Sequence, residues 1–172
     1  MIHYSTYQIV SDSDLKFLEE NFKNFELIKR KDRAYYSINI EDSSVFPIIQ
    51  KILIWIEQTL NIKFISYNSF KKLMFHKFIK NHFFSNHSDN THISPTQNRR
   101  FAVGFHINND YTGGEYVLTD INHVIKNDPG FVYIFDSYMK HEVKPVLEGE
   151  RKSIIFFINY EDIIVNDKKG ML

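Results

Sequence analysis

The sequence predicts a mainly β domain with two supporting helices, an α+β arrangement whose strands close into a sandwich or barrel. Three observations carry this reading. Two stretches in the first third repeat apolar residues at three- and four-residue intervals. Beyond them, short segments rich in Phe, Ile, Val and Tyr alternate with turn signals. The length of 172 residues suits one domain and is enough to bury a substantial core. The expected layout is a single domain over 1–172, with helices inside 11–62 supporting a β core at 63–160.

Ser11-Asp12-Ser13-Asp14 offers an N-cap and first-turn acids for a helix reaching about Asn24, with Leu15, Leu18 and Phe22 on one face. A second helix starts near Ser43 or Ser44, where Pro47 is tolerated in the first turn. Val45, Ile48, Ile49, Ile52, Ile56 and Leu60 form its apolar stripe, which needs a sheet to cover it. Strands are expected near Phe70–Phe78, Arg100–Asn108, Glu115–Thr119, Phe131–Phe135, His141–Val146 and Ser153–Asn159. The breaks fall at Asn108-Asn109-Asp110, Gly113-Gly114, Asn127-Asp128-Pro129-Gly130 and Glu148-Gly149. Such closely spaced strands argue against a parallel sheet. Lys80 to Asn98 is polar and irregular, and reads as a loop.

Lys and Arg together number 21, as do Asp and Glu, so the chain has no net charge. That excludes a broad basic footprint for nucleic acid or an anionic membrane. Lys71-Lys72 and Arg99-Arg100 are short basic pairs of the kind solvated faces carry. Without cysteine there is neither a disulfide nor a thiolate metal site. Met1 to Val10 lacks a signal-like apolar core, and the longest apolar run, Ile52–Ile56, is too short to span a bilayer. The expectation is a soluble cytoplasmic protein.

His87-Ser88-Asp89 is the chemical centre of the sequence. On an extended segment, residues two apart share a side, so His87 and Asp89 can offer a nitrogen and an oxygen to one ion. His141 opens a later strand. Two histidines and one carboxylate on one face of an octahedral ion leave three positions open, an arrangement suited to non-haem Fe(II). The triplet by itself also fits a plain turn, with Asp89 capping backbone and His87 exposed.

The segment after His141 resembles the 2-oxoglutarate/Fe(II) oxygenase superfamily, and its prolyl 4-hydroxylase-like branch. It reads His141-Glu142-Val143-Lys144-Pro145-Val146, then Gly149-Glu150-Arg151-Lys152-Ser153. The similarity extends upstream, through Pro129-Gly130 before Phe131–Phe135, Gly113-Gly114-Glu115, and the strand ending in Asn108. It covers about Phe75 to Ile158. The resemblance implies a double-stranded β-helix, a jelly-roll or cupin-like fold. It assigns iron to His87, Asp89 and His141, and the distal carboxylate of 2-oxoglutarate to Arg151, with Ser153 as a second donor. Iron(II), 2-oxoglutarate and O₂ are the implied cofactors. A guanidinium suits a carboxylate on chemical grounds as well.

The chain departs from the pattern in places. The family often has Tyr and Gly upstream of the metal triplet, where this chain has Phe78 and Asn81. A second family tyrosine position holds His106, which could bond the cosubstrate carboxylate or be an ordinary half-buried histidine. His3, His76, His82, His92 and His123 have no motif support. The leading expectation is a hydroxylase of a prolyl or similar residue in a protein or peptide. The alternatives are a hydroxylase of a free amino acid or small metabolite, and a non-enzymatic cupin-like module, which leaves Arg151-Lys152-Ser153 unexplained. The stretch from about His82 to Asn98 joins the metal triplet to the next core strand and is expected to be a mobile lid.

Overall fold

The computed structural model describes residues 1–67, 70, 72–90 and 98–165. The chain begins with β1 (Ile2–Tyr4), α1 (Asp12–Asn21), β2 (Glu26–Arg30), β3 (Arg33–Ile40) and α2 (Phe46–Leu60). There follow β4 (Ile62–Phe64), β5 (Leu73–Phe78), β6 (Phe83–His87), β7 (Arg99–His106), β8 (Thr112–Gly113), β9 (Tyr116–Leu118) and β10 (His123–Val124). The last strands are β11 (Val132–Asp136), β12 (His141–Val143), β13 (Val146–Glu148), β14 (Arg151–Asn159) and β15 (Ile163–Val165). One curled antiparallel sheet runs β1-β11-β7-β14-β5-β3-β6-β12-β9-β10, with β2 alongside β3. β8 pairs with β13, and β4 with β15.

Both helices start where the sequence signals them. Ser11 accepts from the Asp14 backbone, and Asp14 accepts in return from the Ser11 N–H, a reciprocal cap. A turn of 3-10 helix at Ser43–Val45 leads into α2, which has Pro47 in its first turn and ends at Asn61 in the left-handed region. Ile48, Ile49, Ile52 and Ile56 are buried along one stripe.

Strict alternation on four strands sorts the core into two layers. On β14, Ile154, Phe156 and Ile158 join the helices in one cluster, while Arg151, Ser153, Ile155 and Phe157 face a cavity inside the curl. Leu73 and Phe75 on β5, Val103 and Phe105 on β7, and Val132 and Ile134 on β11 likewise pack in the helical cluster. Phe78, Ala102, Tyr133 and Phe135 belong to a second cluster inside the curl. β7, β11 and β14 are covered on both faces through their middles, which is why they read as short apolar runs.

Three stretches differ from the sequence expectation. Residues 26–40, inside the part assigned to supporting helices, form a hairpin whose second strand joins β5 to β6 in the main sheet. The expected strand His141–Val146 is two strands, because Pro145 has no N–H to donate to a ladder. Phe83–His87 is a strand and not part of a loop: it pairs with β12 and β3. The remainder of the expected lid, including His92, lies largely outside the described residues. No helix among the described residues is long and apolar enough to cross a membrane.

Gly104 makes room for a tyrosine. A Cβ there would lie 2.5 Å from the Tyr133 hydroxyl oxygen and 2.8 Å from the Ile154 carbonyl oxygen. Gly104→Ala is expected to destabilise the fold by roughly 1–3 kcal/mol through overpacking. Adding Tyr133→Phe removes the nearest of the three obstacles, the hydroxyl, but leaves the ring carbon Cζ at 2.7 Å, so it should recover only part of that loss in denaturant unfolding.

Candidate metal centre and cosubstrate pocket

β6 and β12 run side by side with His87 directly opposite His141. Residues opposite each other in an antiparallel pair share a face, and the two imidazole centroids are 4.3 Å apart. Past His87 the chain leaves the sheet in a turn held from β11's far end. The backbone N–H groups of Asp89 and Asn90 both donate to the Ser137 carbonyl at 3.0 Å, and Ser88 Oγ donates to it as well. Asn90 Nδ2 ties the turn to the Arg99 carbonyl at 2.7 Å. This folds Asp89 back over the histidines. Its Oδ1 lies 3.7 Å from His87 Nε2 and its Oδ2 3.4 Å from His141 Nε2. One donor atom from each of the three residues lies within 4.8 Å of the others.

Hydrogen bonds set the tautomer of each ring. His87 Nδ1 meets the Ser85 carbonyl at 2.8 Å, and His141 Nδ1 meets the Met139 carbonyl at 2.9 Å. A carbonyl only accepts, so both Nδ1 atoms carry the proton and both Nε2 atoms present a lone pair to the same space. Burial, reinforced at His87 by the neighbouring His141, lowers both imidazoles to about 4, so they are neutral near pH 7. Burial raises the Asp89 carboxyl to about 6, and its buried Oδ2 has no hydrogen-bond donor among the described residues. Two neutral imidazoles and a carboxylate converge on one point. Divalent-metal affinity is therefore expected to be level above about pH 6 and to fall roughly tenfold per unit below it, as a proton competes for Asp89. Metal titrations at several pH values check this. Constant affinity down to pH 4 would remove Asp89 from the site.

A cavity of about 400 Å³ opens on these three residues. Arg151 lines it and is only 1% exposed. Its Nη1 donates to Ser153 Oγ at 2.8 Å, while its Nε has no partner among the described residues. The guanidinium carbon is 5.2 Å from the Phe78 ring centroid and 5.7 Å from that of Tyr116. No carboxylate among the described residues forms an ion pair with it. Its stem rests against the glycine turn, where a Cβ on Gly114, at φ +65°, would lie 3.1 Å from Arg151 Cδ. A buried cation without an anion is costly, and a ligand carboxylate would satisfy it.

The other residues singled out from the sequence fall unevenly. Ser153 lines the cavity beside Arg151. His106 is in register with Ser153 on β7 but lines a different cavity, with Tyr111, Glu115 and Asn127. Its Nε2 is buried and unpartnered among the described residues, and burial together with Arg151 keeps it neutral. Three polar lining residues went unnoticed in the sequence, Arg33 and Tyr35 on β3 and Tyr116 on β9, and a fourth, His76 on β5, was set aside. His76, held neutral near 3 by burial and Arg151, had no motif to mark it. Tyr116 had a signal, since it directly follows Gly113-Gly114-Glu115.

A sequence profile of the 2OG-Fe(II) oxygenase superfamily matches residues 73–159, slightly more than half of the chain. The chain belongs to this superfamily. A PKHD-type hydroxylase of Prochlorococcus marinus is 28% identical over 167 residues, covering 87% of this chain and 75% of that one. Among solved structures, a 2OG-Fe(II) oxygenase-family oxidoreductase from Burkholderia pseudomallei aligns over 96% of this chain and 88% of its own, with a TM-score of 0.73 at 14% identity. The viral collagen prolyl hydroxylase of Paramecium Bursaria Chlorella virus-1, in its 2-oxoglutarate complex, aligns over 91% of this chain and 94% of its own, with a TM-score of 0.66 at 14% identity. These likenesses establish the double-stranded β-helix for the curled sheet.

The oxygenase uses iron(II), 2-oxoglutarate and O₂. Its own donor set fits them: two Nε2 lone pairs, an unpartnered carboxylate oxygen, and a buried guanidinium lacking an anion among the described residues.

Proposed function

We propose that this oxygenase hydroxylates a prolyl or similar residue in a protein or peptide, with iron on His87, Asp89 and His141 and 2-oxoglutarate on Arg151 and Ser153. The observation that carries the site assignment is the pair of imidazoles with both Nδ1 protons committed to backbone, which leaves both Nε2 atoms for one ion. The substrate reading rests on relatives: the Prochlorococcus marinus protein is a PKHD-type hydroxylase, and structural neighbours include prolyl hydroxylases, one in complex with a peptide.

The bound cofactors supply oxidative decarboxylation of 2-oxoglutarate and hydroxylation of an unactivated C–H bond. The protein's part is orientation and exclusion of water. Arg151, braced by Ser153, would hold one carboxylate of 2-oxoglutarate and so orient the cosubstrate in the cavity. Phe78 and Val143, with the ring of Tyr116, give part of the cavity lining an apolar character. His106 enters only as the neighbour of Ser153 on the adjacent strand. No lining side chain is required as a nucleophile. Succinate release against a panel of prolyl peptides and free amino acids tests the reading. Stimulation by amino acids alone would reverse the substrate choice.

A further inference from the structure

Among the described residues, three arginines but one carboxylate line the cavity: Arg33, Arg99 and Arg151 against Asp89. The proposed occupants account for only part of this charge. An iron(II) ion and Asp89 leave one positive charge, which with Arg151 balances the two carboxylates of 2-oxoglutarate. Arg99 remains, together with Arg33, whose own partner Asp32 lies outside the lining.

Both are placed close to the metal residues. Arg33 Cζ sits 4.2 Å from the Phe84 ring centroid, and that ring stacks on His87 at 3.8 Å. Arg99 Cζ sits 3.6 Å from the Phe157 ring centroid, and its Nη1 is 4.0 Å from Asp89 Oδ1. A ring face holds a guanidinium by its plane and leaves for a ligand the N–H groups that no other residue occupies. Arg33 is paired through Nε and Nη2 with Asp32, at 3.1 and 2.5 Å, a half-exposed acid outside the lining. Among the described residues, Arg99 has only a 3.5 Å contact to the Asp89 carbonyl and the distant carboxylate. A divalent ion on Asp89 would offset even that attraction. The sequence of 91–97 contains no Asp or Glu that could neutralise Arg99.

We infer that Arg33 and Arg99 form a substrate-binding pair that selects a substrate carrying a carboxylate close to the carbon that is hydroxylated. This deepens the proposed function and rests on its placement of the metal. The carboxylate has two chemical sources, an acidic side chain flanking the target residue or an α-carboxylate at a chain end or on a free amino acid. Either would be attracted by cations lining the same cavity from two different strands, and a basic partner is repelled.

Paired probes decide the matter, with binding read by calorimetry under anaerobic conditions, with and without iron(II) and 2-oxoglutarate. N-acetyl-L-proline against N-acetyl-L-prolinamide reports an α-carboxylate. A doubly capped Glu-Pro-Glu peptide against its Gln-Pro-Gln counterpart reports acidic side chains. The carboxylate member of at least one pair should bind about tenfold tighter or more, the scale of one charge-assisted hydrogen bond. That preference should shrink with added salt. In Arg33→Gln and Arg99→Gln it should collapse toward parity. Arg99→Lys should retain part of it, which keeps the test open if the glutamine variant folds poorly. Parity within both pairs, an undiminished preference in both variants, or no binding by any carboxylate probe would each overturn the inference. Iron binding measured on the same samples keeps the two claims apart: intact iron affinity without charge preference defeats this inference alone, whereas absent iron affinity defeats the metal assignment and leaves the probe comparison standing.

Discussion

Replacing His141 by alanine is expected to lower iron(II) affinity by at least about a hundredfold, because loss of a mere supporting partner of a ligand already costs 10–100-fold. Coupled turnover should disappear with it. His141 is 2% exposed, and the rings of Tyr116 and Phe135 each lie 5.3 Å away, so its imidazole is held in place by packing on two sides. Its tautomer is already fixed by Met139, so the ring needs no reorganisation on metal binding. Asp89→Asn is the informative companion. It preserves shape, removes the charge, and should also abolish tight binding. Its effect on the metal-free fold has the opposite sign. The Asp89 carboxyl titrates near 6 when folded, above its unfolded value, so its burial is tolerated at low pH and becomes a cost as pH rises through 6. The amide substitution should therefore stabilise the metal-free protein at pH 7.5 by on the order of 1–3 kcal/mol and give no gain near pH 4. Metal analysis with urea unfolding at both pH values checks the pair. Full iron occupancy in the His141 variant would remove that residue from the site.

The alternation of side chains explains what could be read from the sequence. β7, β11 and β14 are covered on both faces through their middles, so Phe101–Phe105, Val132–Phe135 and Ile154–Ile158 appear as short apolar runs, and each was legible. The candidate metal residues were legible by residue type and spacing, but the extended segment expected to put His87 and Asp89 on one side ends at His87, and a turn held by the Ser137 carbonyl brings Asp89 back instead; His141 stood out because Pro145, Gly149 and Arg151 follow it at recognisable spacing. What stayed hidden is the polar half of the barrel. β6 is built from Phe83, Phe84, Ser85, Asn86 and His87. Two aromatics cannot announce a strand among residues that favour turns. β3 follows β2 directly in a hairpin, and its Ser37 and Asn39 alternate with Ile38 and Ile40, a strand signal that was available and went unread because this stretch was assigned to the helical part; its pairing with β5 and β6 is what only the fold reveals. Arg33 and Tyr35 were lost with it. Arg99 reads in isolation as a strand-end charge, and only the stack on Phe157 across the sheet shows that it belongs to the cavity.

Removing the Arg151 charge is the second large effect expected. Arg151→Met should weaken 2-oxoglutarate binding by roughly 2–5 kcal/mol, the range for breaking a buried charged pair, which is at least about thirtyfold in Kd. Among the described residues the cation has no substitute at its place in the cavity. Lys152, its neighbour on the strand, points to the opposite face and reaches Glu19 at 2.8 Å. Lys77 on β5 lies over Phe25 and Tyr36, away from the cavity lining. Arg33 and Arg99 line the cavity but stand beside the metal residues, while Arg151 is packed against the Gly113-Gly114 turn. Stability should move the other way. Without cosubstrate, Arg151 is a buried guanidinium resting on one hydroxyl and two ring faces, so an apolar side chain of similar length should leave the fold equally stable or more so. A variant that binds iron normally, unfolds no earlier and has lost 2-oxoglutarate affinity cannot be explained by misfolding. Anaerobic calorimetry with iron(II) present reads the first quantity and thermal unfolding the second. Affinity within about twofold of the unmodified protein would mean that the distal carboxylate lies elsewhere, and the unpartnered Nε of Arg151 would then need another anion.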